Sequence, residues 1–216
     1  ICGQPRTDVM FTNNPKYEEL RVYKKVVIWM PTFRKSIRMG YSNTSKDIII
    51  PLLDSSEFEN INEWLESKGI CVVVKLHPMQ DVSAFENLKL SNLYLLSHQE
   101  FVSKGWDLYK LIGQCDALIT DYSSVFYDFM LLDRPMAFTV DDYDDYKNNR
   151  GFSVKDPDYL TAGYKIKNQD DFKNFIVDIE NDVDRYQIQR REVNQLVNTY
   201  NDGKQCERVL SLSKIK

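Results

Sequence analysis

Residues 117–140 read Ala-Leu-Ile-Thr-Asp-Tyr-Ser-Ser-Val-Phe-Tyr-Asp-Phe-Met-Leu-Leu-Asp-Arg-Pro-Met-Ala-Phe-Thr-Val. An unbroken apolar run, Ala117 to Thr120, passes through a polar turn into a segment of helical period, Ser123 to Leu132. A second apolar run follows from Met136 to Val140. Strands that are apolar on both faces and separated by helices are the units of a parallel sheet covered on two sides. Working outward, the same alternation recurs. Val26 to Met30 is a strand, followed by a long polar loop from Pro31 to Lys46. Glu57 to Ser67 carries Phe58, Ile61, Trp64 and Leu65 at helical spacing, with Gly69 placed as a C-terminal cap. Cys71 to Leu76 is an apolar strand tipped by Lys75 and ended by His77-Pro78. Asp81 to Leu88 reads as a short helix, Leu93 to Leu96 as a strand and Asp107 to Ile112 as a helix.

Beyond Asp141 the pattern changes to an acidic stretch with interleaved tyrosines, through Asn149. From Asn168 onward the reading is helical, with Phe172, Phe175, Ile176 and Ile179 on one stripe and Val193, Leu196 and Val197 on another. The expected fold is therefore α/β. One Rossmann-like parallel sheet with helices on both faces occupies residues 1–216, and its helical tail covers about 168–216.

Composition narrows the function. A chain of 216 residues with 43% apolar residues builds its own core without disulfide or metal support. With eight glycines it contains no GxGxxG or GxxxxGK[ST] string, so a glycine-rich phosphate loop is not expected. Net charge of −4 argues against nucleic acid as a partner. The four cysteines form no CxxC pair and there are two histidines, so structural zinc is not expected. Cys71 and Cys115 lie in apolar runs and read as small buried hydrophobes. No apolar run approaches 18 residues, and cysteine usage fits a reducing cytoplasm. The chain opens at Ile1-Cys2-Gly3 without a methionine, as a piece of a longer protein would.

In an open α/β sheet, ligands bind beyond the carboxyl ends of the strands where strand order reverses. With the common order 3-2-1-4-5, that point lies between Met30 and Thr120. The loops meeting there are Pro31-Thr32-Phe33-Arg34 and Thr120-Asp121-Tyr122-Ser123-Ser124, with His77-Pro78 on the neighbouring strand. The second loop joins a strand to a helix start, where free N–H groups and the hydroxyls of Thr120, Ser123 and Ser124 suit a diphosphate. The same residues also suit plain N-capping. His77 has the chemistry to hydrogen-bond or protonate a phosphate, and Arg34 to grip one as a planar fork. His98 reads as a surface or loop residue. The acidic cluster Asp141, Asp142, Asp144 and Asp145 matches no calcium loop and reads as solvated surface.

The string Thr120-Asp121-Tyr122-Ser123-Ser124, continuing through Asp128 to Asp133-Arg134-Pro135, closely resembles the signature of the CDP-glycerol:poly(glycerophosphate) glycerophosphotransferases. Gly3-Gln4-Pro5-Arg6-Thr7-Asp8, Pro31-Thr32-Phe33-Arg34, Lys75-Leu76-His77-Pro78, Arg150-Gly151-Phe152, Asp202-Gly203-Lys204 and Glu207-Arg208 resemble further family segments, in order. The resemblance implies the C-terminal, donor-binding half of a GT-B transferase, with the N-terminal acceptor domain absent from the chain. In such enzymes a polymer hydroxyl attacks the β-phosphorus of CDP-glycerol and CMP leaves. His77 would be the catalytic residue, contacting and stabilising the donor diphosphate. Thr32, Arg34, Thr120, Ser123 and Ser124 would surround the phosphates, and Asp121 and Asp128 would organise the turn or meet the polyol. The resemblance implies no cofactor or metal beyond the CDP-polyol donor. Its partners would be a lipid-linked polymer acceptor and, for the whole enzyme, the inner face of the cell membrane as a peripheral protein. There are two departures: Lys35-Ser36 follows Arg34, which leaves the exact role of that loop open, and the run Pro157 to Tyr164 leaves ribitol phosphate or a sugar phosphate open as the transferred group. A GT-B glycosyltransferase using a nucleotide sugar and a non-catalytic nucleotide-binding module are the alternatives. Without an acceptor domain and its base, the chain would bind donor and transfer little.

Overall fold

The computed structural model of the chain describes residues 1–13, 15–32, 35–36, 41–42, 50–76, 88, 90–141, 143–144, 147, 154 and 156–213. Six strands form one parallel sheet: β1 (Lys25–Met30), β2 (Ile70–Lys75), β3 (Leu93–Leu96), β4 (Ala117–Thr120), β5 (Met136–Thr139) and β6 (Tyr164–Ile166). Across the sheet their order is 3-2-1-4-5-6, and every pairing is parallel. The order expected for the first five strands is the one observed.

Eight helices surround the sheet among the described residues: α1 (Phe58–Lys68), α2 (His98–Ser103), α3 (Leu108–Gln114), α4 (Val125–Phe129), α5 (Pro157–Leu160), α6 (Gln169–Glu180), α7 (Gln187–Val197) and α8 (Gln205–Ser213). The two-residue side-chain period sends alternate strand residues to opposite faces. Val27, Trp29, Ile70, Val72, Val74, Ala117 and Ile119 meet Phe58, Ile61 and Leu65 of α1 and the Phe172–Ile179 stripe of α6. Val26, Ile28, Cys71, Val73 and Leu118 meet Leu111 and Ile112 of α3, Phe126 and Phe129 of α4, and Val193 of α7. Both expected buried cysteines, Cys71 and Cys115, are fully enclosed. Gly69 caps α1 at φ 68°, a left-handed conformation that costs glycine no steric penalty.

Three local readings change. The helical run from Ser123 to Leu132 divides into α4 and a 3₁₀ turn, Met130–Leu132, ended by Asp133 at φ 49°. A helix at 98–103, capped by the Ser97 hydroxyl, has too little apolar period to be read in advance. The edge strand β6 was hidden because its central residue is Lys165. That side chain lies over the Phe138 ring, 4.7 Å from its centroid, and its Nζ donates to Thr161 O at 2.6 Å. The aliphatic stem thus covers apolar surface while the amine finds an oxygen. The helix expected over Asp81 to Leu88 lies, but for Leu88, outside the described residues, as does Arg150-Gly151-Phe152.

Burial pushes the Lys165 amine down to about 8 from an ordinary 10.5. The unfolded chain therefore holds more protons on this group than the folded one between about pH 8 and 10.5. Stability attributable to Lys165 rises with pH across that window. Urea unfolding of the parent should show this rise, and Lys165→Met should lack it; identical pH profiles would contradict the burial of the amine.

Candidate functional site

β1 and β4 lie side by side in register, Met30 opposite Thr120, so the loops that follow them leave the sheet at one level. This is the point at which the winding reverses, with β2 and β3 on one side and β5 and β6 on the other. Thr120 is fully buried and donates its hydroxyl proton to Met30 O at 2.7 Å. Its hydroxyl closes the seam between the strands. Asp121, 1% exposed, accepts two hydrogen bonds on Oδ2, from the Thr32 backbone N–H at 2.7 Å and from the Thr32 hydroxyl at 2.8 Å. One buried carboxylate thus stitches the loop after β4 to the loop after β1 across 89 residues of sequence. Hydrogen bonds to an ionised acceptor are the stronger kind, so this stitch fixes the floor of the crevice.

Ser123 and Ser124 lead into α4. Ser123 is half-buried and Ser124 exposed, and neither hydroxyl has a hydrogen-bond partner among the described residues. Ser124 sits at the N-cap in the helical region, φ −62° and ψ −6°, without capping through its side chain. The plain capping role open to these serines is not what the structure shows for Ser124. Thr32, Thr120, Asp121, Ser123 and Ser124 therefore come together as expected, with the serine hydroxyls left available and Thr120 committed to the backbone. Tyr122 leans toward Tyr143 of the acidic stretch, their ring centroids 6.5 Å apart.

Asp128 has a different setting. It is 4% exposed, and its Oδ2 accepts from Arg6 Nε at 3.1 Å and from the Tyr109 hydroxyl at 2.6 Å, with a second Arg6 nitrogen at 3.0 Å. Burial and the neighbouring Asp128 carboxylate both push the Tyr109 phenol up. Asp128 thus anchors the N-terminal segment to α4, which fits the organising role better than a polyol contact through that oxygen. Arg6 and Tyr109 were not singled out as site residues: Arg6 is 122 residues from Asp128, and no local spacing announces the pairing. At the end of β2, the Lys75 amine is buried, donates to Leu76 O at 2.9 Å and lies 5.0 Å from the Phe101 ring centroid; burial lowers its pKa. His77 and Arg34, the two cationic candidates, lie outside the described residues. His98 is exposed on α2, away from any candidate role.

The terminal motifs clasp one another. Asp8 caps α8, accepting from the backbone N–H of Gln205 at 3.0 Å and of Cys206 at 2.7 Å. Gly203, at φ 66°, meets Phe11 so closely that a Cβ there would lie 2.8 Å from the phenylalanine Cβ. Asp202 pairs with Arg208, whose guanidinium stacks 3.7 Å from the Tyr200 ring centroid. The Arg208 hydrogen bonds hold the Asp202 carboxyl down at about 2. The segments that resembled family motifs at the two ends are thus one structural unit.

Fold and seam together define a doubly wound α/β domain whose winding reverses between β1 and β4, the place at which open sheets of this kind bind ligands. The chain belongs to the CDP-glycerol:poly(glycerophosphate) glycerophosphotransferase family, whose sequence profile matches residues 1–212. It is 29% identical over 220 residues to a teichoic acid ribitol-phosphate primase of Bacillus spizizenii, covering 96% of this chain and 50% of that protein. Over 162 residues it is 30% identical to a teichoic acid poly(glycerol phosphate) polymerase of the same organism, covering 69% of this chain and 37% of that protein. The chain thus spans about half the length of the primase or less of such relatives. Among solved structures it is similar to the wall teichoic acid polymerase TagF soaked with CDPG, with a TM-score of 0.67 and 21% identity over 98% of this chain and 50% of that one. A UDP-N-acetylglucosamine 2-epimerase from Listeria monocytogenes shares the fold more distantly, with a TM-score of 0.52 and 14% identity over 99% of this chain and 52% of that one. These likenesses bear out the Rossmann-like α/β architecture.

Proposed function

We propose that this chain supplies the donor site of a transferase that moves a polyol phosphate, glycerol phosphate first among the candidates, from a CDP-linked donor to a polymer hydroxyl. The observation that carries the reading is the seam: level ends of β1 and β4, stitched by Asp121 to Thr32, with the hydroxyls of Ser123 and Ser124 at its mouth unpartnered among the described residues. Such a floor offers neutral donors to a diphosphate at the reversal point of the sheet. Family membership supports a CDP-linked donor and a polyol phosphate as the transferred group.

In the proposed step the acceptor oxygen bonds to the β-phosphorus, and the bond from that phosphorus to the bridging oxygen breaks. CMP leaves with the bridging oxygen, and the acceptor's proton passes to a base outside this chain's described site. The protein's part is positioning and charge stabilisation, as in phosphoryl transfer generally. His77 and Arg34 are proposed as the cationic partners of the donor phosphates. The proposal assigns no resident cofactor. A lipid-linked acceptor, a second acceptor-binding half and action at the cytoplasmic face of a membrane complete it. No helix among the described residues is long and apolar enough to cross a bilayer.

Calorimetric titration with CDP-glycerol, CDP-ribitol, CMP and UDP-glucose tests the reading. Selective binding of a cytidine donor is expected, weakened about tenfold, or ~1.4 kcal/mol, in Ser123→Ala and in His77→Ala. Preference for UDP-glucose would replace polyol-phosphate transfer with glycosyl transfer.

A further inference from the structure

The helix behind the donor loop is too short to hold itself in place. α4 has five residues, Val125–Phe129, and Ser124 leads into it without capping through its side chain. Isolated helices of fewer than about 12 residues are marginal in water, so the surroundings of α4 decide where its first turn points. Val125, Phe126 and Phe129 are buried in the core and keep the helix on the sheet. Apolar burial is non-directional, and by itself it sets the rotation of a single turn loosely.

Direction comes from polar contacts. Asn198, which follows α7, donates its Nδ2 proton to Tyr127 O at 2.8 Å. Asp128 lies one turn after Ser124 on the same face of the helix. It is nearly buried, and its Oδ2 accepts from the Tyr109 hydroxyl at 2.6 Å and from Arg6 Nε at 3.1 Å. We propose that Tyr109 is a positioning residue of the donor loop. Its hydroxyl, acting through Asp128, sets the rotation of α4 and so the direction in which Ser123 and Ser124 present their hydroxyls. The inference rests on the donor reading of that loop.

Of the two partners of Asp128, Tyr109 is the fixed one. It stands on α3, whose Leu111 and Ile112 are fully buried and whose first turn Asp107 caps by accepting from the Lys110 N–H at 2.7 Å. A hydrogen bond to an ionised acceptor is the stronger kind, and 2.6 Å is short. Burial and the Asp128 carboxylate push the phenol up, so it stays protonated and keeps donating at neutral pH. Arg6 belongs to the N-terminal segment and has half of its side chain exposed, where solvent screens its charge. Its guanidinium also rests 5.6 Å from the Tyr109 ring centroid, so the tyrosine steadies both partners of the carboxylate. Without the hydroxyl, Asp128 answers to Arg6 alone, and α4 is free to turn toward the N-terminal segment.

Tyr109→Phe removes the hydroxyl and keeps the ring. Protein-observed NMR of the full chain, recorded without donor, reads the loop directly: the amide resonances of Ser123 and Ser124 should move. Tyr94→Phe is the control. Its hydroxyl donates to Glu100 Oε1 at 2.5 Å between β3 and α2. Its loss should lower Tm comparably and leave the two serine amides in place. Calorimetric titration with CDP-glycerol follows. Tyr109→Phe should weaken binding about fivefold, within the range that coupled neighbours show. In a Ser123→Ala, Ser124→Ala background the same substitution should cost about twofold or less, because the groups it aims are gone.

Unmoved serine amides would overturn the proposal. So would the full fivefold loss in the serine-free background, since Tyr109 would then act by another route. A lowered Tm with donor affinity unchanged would make the hydroxyl structural and nothing more. If the parent chain binds no cytidine donor, the donor reading has failed, and the amide shifts alone decide whether Tyr109 sets the loop.

Discussion

Replacing Arg190 by leucine should cost the fold about 3–5 kcal/mol, the range found when one partner of a buried ion pair is removed. Arg190 lies on α7 and is wholly buried. Its Nε and one terminal nitrogen donate to Asp133 Oδ1 at 3.2 and 2.9 Å, and the same terminal nitrogen reaches Asp133 O at 3.1 Å. On the other side, Asp184 accepts at 3.1 and 2.6 Å. Leucine would leave both carboxylates facing a space without its cation, with Asp133 still held by Arg191 at 2.7 Å. Lysine would restore charge without the planar fork and should recover part of the loss. Chemical denaturation measures it, and a Tm drop of about 6–20 °C is expected for a domain of this size. A loss under about 1 kcal/mol would mean that solvent reaches the network, as it does at exposed pairs. The donor affinity of whatever remains folded should be unchanged, because Arg190 touches the Asp133 turn and not the seam.

Asp121→Ala should instead strike function. The carboxylate links the Asp121 turn to Thr32 through two hydrogen bonds, and its removal takes both from Thr32. Misplacement of a positioning group by about 1 Å can cost on the order of 100-fold in rate. A fall in kcat/KM of about that size is expected for the proposed transfer, with kcat carrying more of it than KM. Asp121→Asn keeps one acceptor for the Thr32 N–H and should fall less. If the two residues act through each other, Asp121→Ala combined with Thr32→Val will be less damaging than the sum, with a coupling of about 0.5–3 kcal/mol. Activity within about threefold of the parent, under ~0.7 kcal/mol, would make Asp121 a bystander.

The parts of this molecule that could be read in advance share a cause. A strand buried on both faces must be apolar throughout, so β1, β2 and β4 declared themselves, and the order around them followed from how such strands are wound. The crevice residues Thr32, Asp121, Ser123 and Ser124 were legible because strand ends at a reversal point are where polar residues converge. What stayed hidden were long-range polar pairings. Nothing local says that Asp128 answers to Arg6 and Tyr109, or that Asp133-Arg134-Pro135 is a structural socket. In that socket Arg134 donates to Gly113 O at 2.9 Å and to Cys115 O at 2.5 Å, and Asp133 receives Arg190. The resemblance to a family signature drew attention to those residues; the structure divides them between crevice and scaffold. Thr120, read as a ligand contact, also serves the seam, where its hydroxyl at a buried strand end donates to the Met30 carbonyl.

The clasp between Asp8 and α8 also has a consequence in time. Its two partners are separated by 197 residues, so the 3₁₀ segment Pro5–Phe11 waits until those residues have been made for the helix that it caps. At about 5–20 residues per second that interval is about 10–40 s on the ribosome. The central strands can pair before then, because β1, β2 and β4 are complete by Thr120. Arg6, two residues from Asp8, reaches Asp128 much sooner. The nascent chain thus passes through a stage in which α4 is already tethered while the outer clasp is open. The cap that Asp8 provides cannot form until Gln205 and Cys206 have been made.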